Sequence, residues 1–389
     1  MTERFFAPCP RGLEAPLAAE LHAQDAVDIA PAEGGVGFAG PLDLALRANL
    51  ESRLASRVLW RVAHGPCRSE AELYRLVRDV DWPRRFRVDR TLRVDVTATR
   101  SPLASLEFAT LKVKDAVCDR FRDEAGRRPS IDKQRPDVRV HAYLTEREAT
   151  VYLDTSGEPL FKRGWRREPD AAPLRENLAA GVIALAGWTP GTPFLDPMCG
   201  SGTIAIEAAA LAADRAPGLA RTFGFQKLAW FDGPTWQRLR QRARDRVRGA
   251  PAATAIFASD RDVRAVDRCR GNAKAAGVDA WIAIEQQDVL ARAAPAPSGT
   301  LVANPPYGVR LEDARALAAF YPKLGDALKQ RFAGWTAWVL SGDPQLAPLI
   351  GLRPSRKTPL MNGDIECRLL RFDIVAGRPP RRGRAAMLE

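Results

Sequence analysis

The sequence predicts an α/β chain in which a mostly parallel sheet with flanking helices is preceded by smaller α+β modules. Three observations support this. A glycine-rich turn at residues 200–202 joins a short apolar strand to a helix of good helix formers. From there onwards, apolar strand patterns alternate with helical patterns. Residues 1–156 instead mix amphipathic helices with alternating strands, which is typical of a separate binding module.

The N-terminal elements follow from hydrophobic periodicity. Apolar residues at helical spacing predict helices at 11–21, 42–62, 70–79 and 105–121. Alternation of apolar and polar residues predicts strands at 91–97, 138–144 and 149–153, the last two forming a hairpin. No set of potential catalytic side chains accompanies these elements, so we expect this part of the chain to bind a partner.

The glycine-rich turn is the first candidate ligand site. Phe194 and Leu195 end a strand, and Thr203 begins a helix whose free N–H groups would face a ligand. The turn carries neither of the glycine patterns that mark dinucleotide sites and P-loops. We expect the cofactor-binding residues of this segment to be Asp196, Pro197, Cys199, Gly200, Ser201, Gly202 and Thr203.

Acidic residues follow the next two predicted strands. The strand at 255–259 leads to Asp260, which is placed to accept hydrogen bonds from both ribose hydroxyls of a nucleoside; Asp262 is the reserve candidate. The strand at 281–285 leads to Asp288, which is placed to take an adenine amine. One acid after a strand is more often a helix cap than a ligand. Two acids in register with the glycine turn favour a nucleoside site.

The most informative stretch is Asn304-Pro305-Pro306-Tyr307, which directly follows an apolar strand at 300–303. The Asn304 side-chain oxygen and the Pro305 carbonyl could each accept an N–H bond from the exocyclic amine of a nucleobase. Those bonds would free the nitrogen lone pair, and two prolines hold the backbone rigid without donating a hydrogen bond. Tyr307 offers a flat face for an extruded base. We therefore predict that these four residues are catalytic, that Asn304 also contacts the cofactor, and that the chemistry is methylation of an amine.

These motifs resemble those of the amino-methylating class I methyltransferases over residues 160–375. The resemblance implies S-adenosylmethionine as the cofactor. It also implies a Rossmann-like domain with a mostly parallel seven-stranded sheet and an antiparallel last strand. The run 335–341 suits the fifth strand and 367–375 the last one, with Asn362-Gly363 as a hairpin signal just before it.

The order of parts resembles the THUMP-domain RNA methyltransferases, in particular those that form N2-methylguanosine in 23S ribosomal RNA. Stretches at 9–14, 154–166 and 172–179 carry this resemblance. It implies three domains: a ferredoxin-like module at 1–60, a THUMP RNA-binding domain at 61–156, and the methyltransferase domain at 160–389.

The same resemblance implies site residues and a partner. Arg175 and Asn177 would lie beside the methionine end of the cofactor. Phe161, Arg163 and Arg166 would lie towards the RNA. The partner would be structured RNA, either 23S ribosomal RNA or an assembling large ribosomal subunit.

Composition and charge fit this picture. No apolar run approaches the roughly 20 residues of a membrane span, so we expect a cytoplasmic enzyme with no membrane partner. Six dispersed cysteines and three histidines form no metal-ligand pattern, so we expect no metal. The net charge of +12 is weak evidence in an arginine-rich chain, but basic clusters at 84–87, 162–167 and 378–384 together favour a nucleic acid.

Alternatives stay open from the sequence. The acceptor could be a guanine in tRNA, because THUMP modules also serve tRNA enzymes, or the N6 amine of an adenine in RNA or DNA. In a different class, the chain could be a non-catalytic RNA-binding assembly factor. The intact glycine turn, Asp260 and the stretch at 304–307 argue against loss of catalysis.

Overall fold

A computed structural model describes residues 2–166, 174–306 and 311–375, with the backbone alone for 311–316. The chain divides into two compact units. The first comprises Met1–Gly164 and Asp214–Val247, and the second comprises Trp165–Ala213 and Arg248–Glu389. The predicted site residue Tyr307 and the basic cluster at 378–384 lie outside the described residues.

The strands in chain order are β1 (Glu3–Pro8), β2 (Val27–Ala32), β3 (Gly35–Gly40), β4 (Leu59–Pro66), β5 (Leu92–Ala98), β6 (Val138–Leu144), β7 (Glu148–Asp154), β8 (Phe194–Asp196), β9 (Ile256–Asp260), β10 (Ile282–Gln286), β11 (Gly299–Ala303), β12 (Trp335–Ser341), β13 (Arg356–Asn362) and β14 (Ile365–Asp373). The helices are α1 (Glu14–His22), α2 (Leu44–Glu51), α3 (Glu70–Arg78), α4 (Leu106–Ala125), α5 (Glu176–Ala186), α6 (Thr203–Ala212), α7 (Gly233–Asp245), α8 (Val263–Ala276) and α9 (Leu311–Arg331). No described helix is long and apolar enough to cross a membrane.

The first unit is built on one seven-stranded sheet in the order β2-β3-β1-β4-β7-β6-β5. Strands β5 and β6 pair in parallel, and the other neighbours pair antiparallel. Strand β4 pairs with both β1 and β7, so the N-terminal module and the module after it share a continuous sheet. Helices α3 and α4 begin where the sequence predicts, because the hydroxyls of Ser69 and Ser105 accept the N–H groups of Glu72 and Phe108.

The predicted helix at 42–62 is wrong in its second half. Helix α2 ends at Glu51, and the strand β4 begins at Leu59. Leu54 and Val58, which seemed to extend the apolar stripe, are buried in the connecting segment. Apolar residues at every fourth position are compatible with a buried loop as well as with a helix. The sequence between Glu51 and Leu59 contains no helix-terminating residue, such as glycine or proline, and offers only two serines.

The segment Asp214–Val247 interrupts the second unit in sequence but packs within the first. Its aromatic side chains Phe223, Phe225 and Trp236 form a cluster with ring centroids 5.0–5.5 Å apart. The predicted boundaries, which assign 160–389 to one domain, do not anticipate this return. An insertion of helical sequence between two elements of a sheet carries no signal for which core it joins.

The second unit contains the predicted mostly parallel sheet. Its order is β10-β9-β8-β11-β12-β14-β13, with the first five strands parallel. Strand β14 runs antiparallel to β12, and β13 pairs antiparallel with β14, as predicted for the last strand and its hairpin. One face of this sheet packs against α9, whose Tyr321, Leu324 and Leu328 are buried with Val339 and Leu370.

Candidate active site

The carboxyl ends of the parallel strands meet at one edge of the second unit's sheet. Strand β8 ends at Asp196, β9 at Asp260, β10 at Gln286 and β11 at Ala303. Residues that follow neighbouring parallel strands converge at such an edge, which is where open α/β sheets bind ligands. A cavity of about 600 Å³ lies there, within the size range of small-molecule sites.

This cavity brings predicted residues together from four separate motifs. Those in its lining are Pro197, Gly200, Asp260, Asp288, Asn304, Pro305 and Pro306, beside Met198, Asp262, and Leu317 and Phe320 of α9. The other predicted residues of the glycine turn are buried in the turn and the first residue of α6: Asp196, Cys199, Ser201, Gly202 and Thr203.

The glycine turn is fixed by contacts with two other elements. The Gly200 N–H donates to Asp260 Oδ2 at 3.0 Å, so the carboxylate predicted to bind ribose also holds the turn. The Asn272 side-chain amide, on α8, donates to the Ser201 carbonyl at 3.0 Å. Gly202 stands at the start of α6 with φ +88°, a conformation that favours glycine. Asn272 was missed from the sequence, where it is one polar residue within a helical pattern.

The two acids near the end of β9 have different roles. Asp262 caps α8, because its side chain accepts the Arg264 N–H at 3.0 Å. Asp260 lines the cavity, and its Oδ1 accepts the Asp262 N–H at 3.0 Å. Asp288 also lines the cavity and accepts the Leu290 N–H at 2.9 Å. Each carboxylate has further lone pairs that can accept a bond from a ligand.

Asp196 is a buried acid beneath the turn, with 1% of its surface exposed. Burial, reinforced by the negative charge of Asp260, raises the pKa of Asp196 to about 8. Its Oδ1 has no hydrogen-bond partner among the described residues. At neutral pH we therefore expect this acid to carry a proton.

The raised pKa of Asp196 predicts a pH-dependent stability. The folded state keeps the proton to about pH 8, whereas the unfolded chain loses it near pH 3.8. The contribution of Asp196 to the free energy of unfolding is therefore fully present below pH 3.8. It is lost as the pH rises towards 8. Asparagine cannot ionise. We therefore expect the melting temperature of Asp196→Asn, minus that of the unmutated protein, to increase as the pH is raised from 5 to 8. The difference should correspond to a few kcal/mol, on the order of 1.4 kcal/mol per unit of pKa shift. A gap that does not change with pH would contradict the burial of a protonated acid.

Asn304 follows β11 directly, as predicted. Its Oδ1 is buried and has no hydrogen-bond partner among the described residues. A buried oxygen of this kind is costly unless a ligand completes it. Pro305 is buried and Pro306 exposed, and both line the cavity with Asn304.

The two predicted residues at the start of α5 lie outside the lining. Asn177 is fully buried in the first turn of the helix. Arg175 is exposed, and its guanidinium lies 3.5 Å from the position that a side-chain carbon at Gly363 would occupy. Arg175 therefore reaches the turn between β13 and β14.

Arg163 has a structural role within the first unit. Only 4% of its surface is exposed, and its guanidinium donates to the carbonyls of Leu160 at 2.8 Å and Arg53 at 2.6 Å. This burial argues against the predicted contact with RNA, since the charged group holds two segments of its own unit together. Phe161 is half-buried and stays a candidate for such a contact.

Arg166 supports the glycine turn. Its guanidinium donates to the hydroxyls of Ser201 and Thr203, each at 3.0 Å, and to the Glu176 carboxylate at 3.1 Å. The predicted role at the RNA does not fit these contacts, because the side chain is 17% exposed and its guanidinium is directed to the glycine turn. The sequence could not show this, since Ser201 lies 35 positions away.

We expect Arg166→Gln to loosen the glycine turn. A glutamine cannot reproduce the planar, charged fork, and each lost charge-assisted bond is worth about 1.5–3 kcal/mol when a buried partner is left unpaired. The melting temperature should fall by several degrees, while Lys162→Gln, an exposed change four residues away, should leave it unchanged. Equal melting temperatures for both variants would contradict the supporting role of Arg166.

The Cys199 thiol in the glycine turn gives no sign of nucleophilic chemistry. A hydrogen bond with Cys269, together with burial, raises the pKa of the Cys199 thiol well above its ordinary value, which suits a packed and unreactive side chain. Within the described residues, no cluster of three or more His, Cys, Asp or Glu side chains could hold a metal ion.

Three family models match the chain in succession. The first is described as the RlmL ferredoxin-like domain and matches residues 4–59. The second is the THUMP domain, which matches residues 67–154. The third is described as the RMKL-like methyltransferase domain and matches residues 163–371.

Individual relatives agree with these matches. The chain is 43% identical over 385 residues to the protein of Syntrophotalea carbinolica named ribosomal RNA large subunit methyltransferase K/L, covering 96% of this chain and 54% of that one. The chain thus spans about half the length of the curated relatives it matches.

Solved structures share the fold over nearly the whole chain. SMU.472 complexed with SAH has a TM-score of 0.86 at 29% identity, covering 97% of this chain and 99% of that one. A protein of Listeria monocytogenes, described as a predicted N6-adenine-specific DNA methylase, has a TM-score of 0.86 at 30% identity, covering 96% of each chain.

Proposed function

The chain belongs to the RMKL-like methyltransferase family, and from that premise we propose that it transfers a methyl group from S-adenosylmethionine to the N2 amine of a guanine in 23S ribosomal RNA. The observation that carries the proposal is the buried Asn304 oxygen that has no hydrogen-bond partner among the described residues. It lies in the lining of the cavity that also contains Asp260 and Asp288.

The residues around this cavity fit S-adenosylmethionine. Asp260, at the end of β9, is placed to accept bonds from ribose hydroxyls, and Asp288, after β10, is placed to accept one from the adenine amine. The buried Asp196 is suited to a cationic group, since a positive charge beside it would favour its ionised form. A volume of about 600 Å³ suits a ligand of this size. The SAH bound to the related protein SMU.472 also supports this choice.

The protein's own residues would act mainly on the acceptor amine. Bound S-adenosylmethionine supplies a methyl group activated by its sulfonium. Asn304 Oδ1 and the Pro305 carbonyl would each accept a hydrogen bond from an N–H group of the amine. These hydrogen bonds would draw the nitrogen lone pair out of conjugation with the ring. The nitrogen gains positive charge as its bond to the methyl carbon forms and the carbon–sulfur bond breaks, with that electron pair left on the sulfur of the departing thioether. The same two oxygens would stabilise the charge on the nitrogen. The proton then leaves to water, so no general base is required.

We propose that the first unit captures structured RNA. The matches at 4–59 and 67–154 support a ferredoxin-like module followed by a THUMP domain, close to the proposed boundaries 1–60 and 61–156. The catalytic domain is proposed to span 160–389, apart from the segment that packs in the first unit. The name of the curated relative supports ribosomal RNA over tRNA as the substrate.

The identity of the base is the finer part of the proposal. A buried amide oxygen and a proline carbonyl recognise an amine, and both the guanine N2 and the adenine N6 groups are amines. The related protein of Listeria monocytogenes is described as a predicted N6-adenine-specific DNA methylase, so an adenine acceptor is the second candidate. We favour guanine because the N-terminal order of parts resembles that of enzymes forming N2-methylguanosine.

Methyl transfer to total RNA from cells lacking the enzyme tests the proposal. Purified protein is incubated with that RNA and tritiated S-adenosylmethionine, and the labelled nucleosides are separated. We expect N2-methylguanosine in the 23S fraction. N6-methyladenosine would overturn the choice of base, and label confined to tRNA would overturn the choice of substrate.

Thermal stabilisation by S-adenosylmethionine separates a catalyst from a bare RNA-binding factor. A ligand at a hundred times its Kd adds about 2.7 kcal/mol to the free energy of unfolding, which is measurable as a rise in melting temperature. The absence of any rise at millimolar S-adenosylmethionine would contradict the cofactor assignment.

A further inference from the structure

A second cavity, of about 540 Å³, lies in the same unit between the β13–β14 hairpin and the segment that follows β12. One wall is apolar and includes Pro344, Pro348 and Leu352. The other wall carries Lys357 of β13 and Arg368 of β14. Its volume is within the range of small-molecule sites, and the proposed reaction does not use it.

The register of the sheet explains why the cavity exists. Val339 pairs with Leu370, which pairs in turn with Lys357, so the three side chains share one face of the sheet. Val339 and Leu370 are buried in the core beneath α9, whereas Lys357 is exposed. The helical layer therefore stops short of β13, and it leaves this part of the face open.

The open face carries two cations that form no close ion pair with another described residue. Among the described residues, no carboxylate lies within 4.0 Å of the Lys357 or Arg368 side-chain nitrogens. On the opposite face of the same hairpin, Arg371 pairs with Asp373 at 2.9 Å. Lys357 and Arg368 are diagonal neighbours across the two strands, which places two cations within reach of one anion.

We propose that this cavity binds one nucleotide of the acceptor RNA that neighbours the methylated base, a proposal that rests on the function proposed above. Lys357 and Arg368 bind the phosphate. The base packs against the apolar wall formed by Pro344, Pro348 and Leu352.

The remaining lining residues favour a nucleotide over a simple anion. Asp343 and Glu366 also line the cavity, and their carboxylates would repel a second phosphate. They can instead accept N–H groups from the edge of a base, as acidic side chains do in nucleic-acid readout. A single nucleotide matches this lining. The two cations suit its phosphate, the apolar wall suits the face of its base, and the two carboxylates suit the N–H groups at the edge of the base.

The position of the cavity connects it to the reaction. Ala303 at the end of β11 pairs with Val339, and Ser341, which lines the cavity, lies two residues further along β12. Asn304 leaves the neighbouring strand towards the same edge, and adjacent strands are about 4.8 Å apart. A nucleotide held here therefore lies beside the nucleotide whose amine meets Asn304.

The double variant Lys357→Ala/Arg368→Ala tests the proposal against Arg356→Ala. Arg356 is exposed on the same hairpin but lies on the opposite face, so it shows the effect of losing one positive charge outside the cavity. Ribosomal RNA from cells lacking the enzyme is the substrate. We expect the double variant to raise the KM for RNA at least tenfold, with kcat within twofold and stabilisation by S-adenosylmethionine unchanged. Arg356→Ala should leave all three quantities unchanged.

Three outcomes would overturn the proposal. A rise in KM for Arg356→Ala about half as large, on a logarithmic scale, as that for the double variant would indicate a general electrostatic effect of lost charge. An unchanged KM in both would mean that the cations only protect an edge strand from pairing. A fall in kcat without a change in KM would place the effect on the reaction and not on RNA binding.

Binding of guanosine 5′-monophosphate, followed by NMR, keeps this inference separate from the proposed function. The unmutated protein should bind it at millimolar concentration in the presence of saturating S-adenosylmethionine, and the double variant should bind at least tenfold more weakly. Equal binding by both proteins would overturn the inference even if the RNA is methylated. Absence of methyl transfer by the unmutated protein would instead refute the proposed function, and the nucleotide measurement would still report on the cavity.

Discussion

Asn304→Ala is expected to lower the rate of methyl transfer by roughly a hundredfold or more, the usual cost of losing one polar contact made in the transition state. In the proposed mechanism, Asn304 supplies one of the two oxygens that accept hydrogen bonds from the amine as the nitrogen gains charge. The cavity wall keeps its backbone, because Pro305 and Pro306 fix the chain on one side and β11 on the other. Single-turnover rates at saturating RNA would measure the effect without a contribution from product release.

Two further measurements on the same variant separate chemistry from binding. RNA affinity should stay within twofold, since the first unit is proposed to capture the RNA. Stabilisation by S-adenosylmethionine should fall only modestly, because Asp260 and Asp288 remain. Unchanged turnover would refute the catalytic role of Asn304, and a loss of RNA binding equal to the loss of rate would reassign it to substrate capture.

Gly202→Ala is expected to have the second-largest effect, on both stability and cofactor binding. Gly202 has φ +88°, and an added side-chain carbon would lie 2.5 Å from the Cys269 sulfur and 3.2 Å from Ile206 Cδ1. Backbone strain and overpacking each cost about 1–3 kcal/mol. The two costs total about 2–6 kcal/mol, so we expect the melting temperature to fall by on the order of 10 °C, at 2–4 °C per kcal/mol for a unit of this size.

Gly191→Ala provides the matched control. Gly191 has φ +93°, but an added carbon there would meet no atom within 4 Å. Its substitution therefore introduces the strain without the overlap, so the melting temperature of this variant should fall by only about half as much. Binding of S-adenosylmethionine should survive at Gly191 and be lost at Gly202. Equal losses for the two variants would show that the close approach of α8 to the turn is unimportant.

The parallel sheet and the core of the site were predictable because their signals are local. The strand predicted at 255–259 is observed at Ile256–Asp260, and the strand predicted at 281–285 is observed at Ile282–Gln286. Asp260 ends β9, Asp288 lies two residues after β10 and Asn304 follows β11, so the topology of a parallel sheet is enough to place them at one edge. The cavity lining contains all three.

The features that were missed depend on contacts between distant residues. Strands β1 to β3 were not predicted. For β2 and β3 the reason is clear, because β2 is an exposed edge strand that contains Pro31 and β3 has glycine at three of its six positions. Neither strand shows the alternation of a half-buried strand. Arg166 and Asn272 act on the glycine turn from 35 and 71 positions away, where no local pattern can reveal them.

Because the segment Asp214–Val247 packs in the first unit, recombination between genes can exchange the two units only in restricted ways. The Gly218 N–H donates to the Leu50 carbonyl at 2.9 Å, and Arg246 pairs with Glu51. A recombination event that joined residues 165–389 to a foreign N-terminus would deprive this segment of both partners. Gene fusion could append new domains at either end, but an exchange at the junction between the units would have to transplant two separate stretches of coding sequence together.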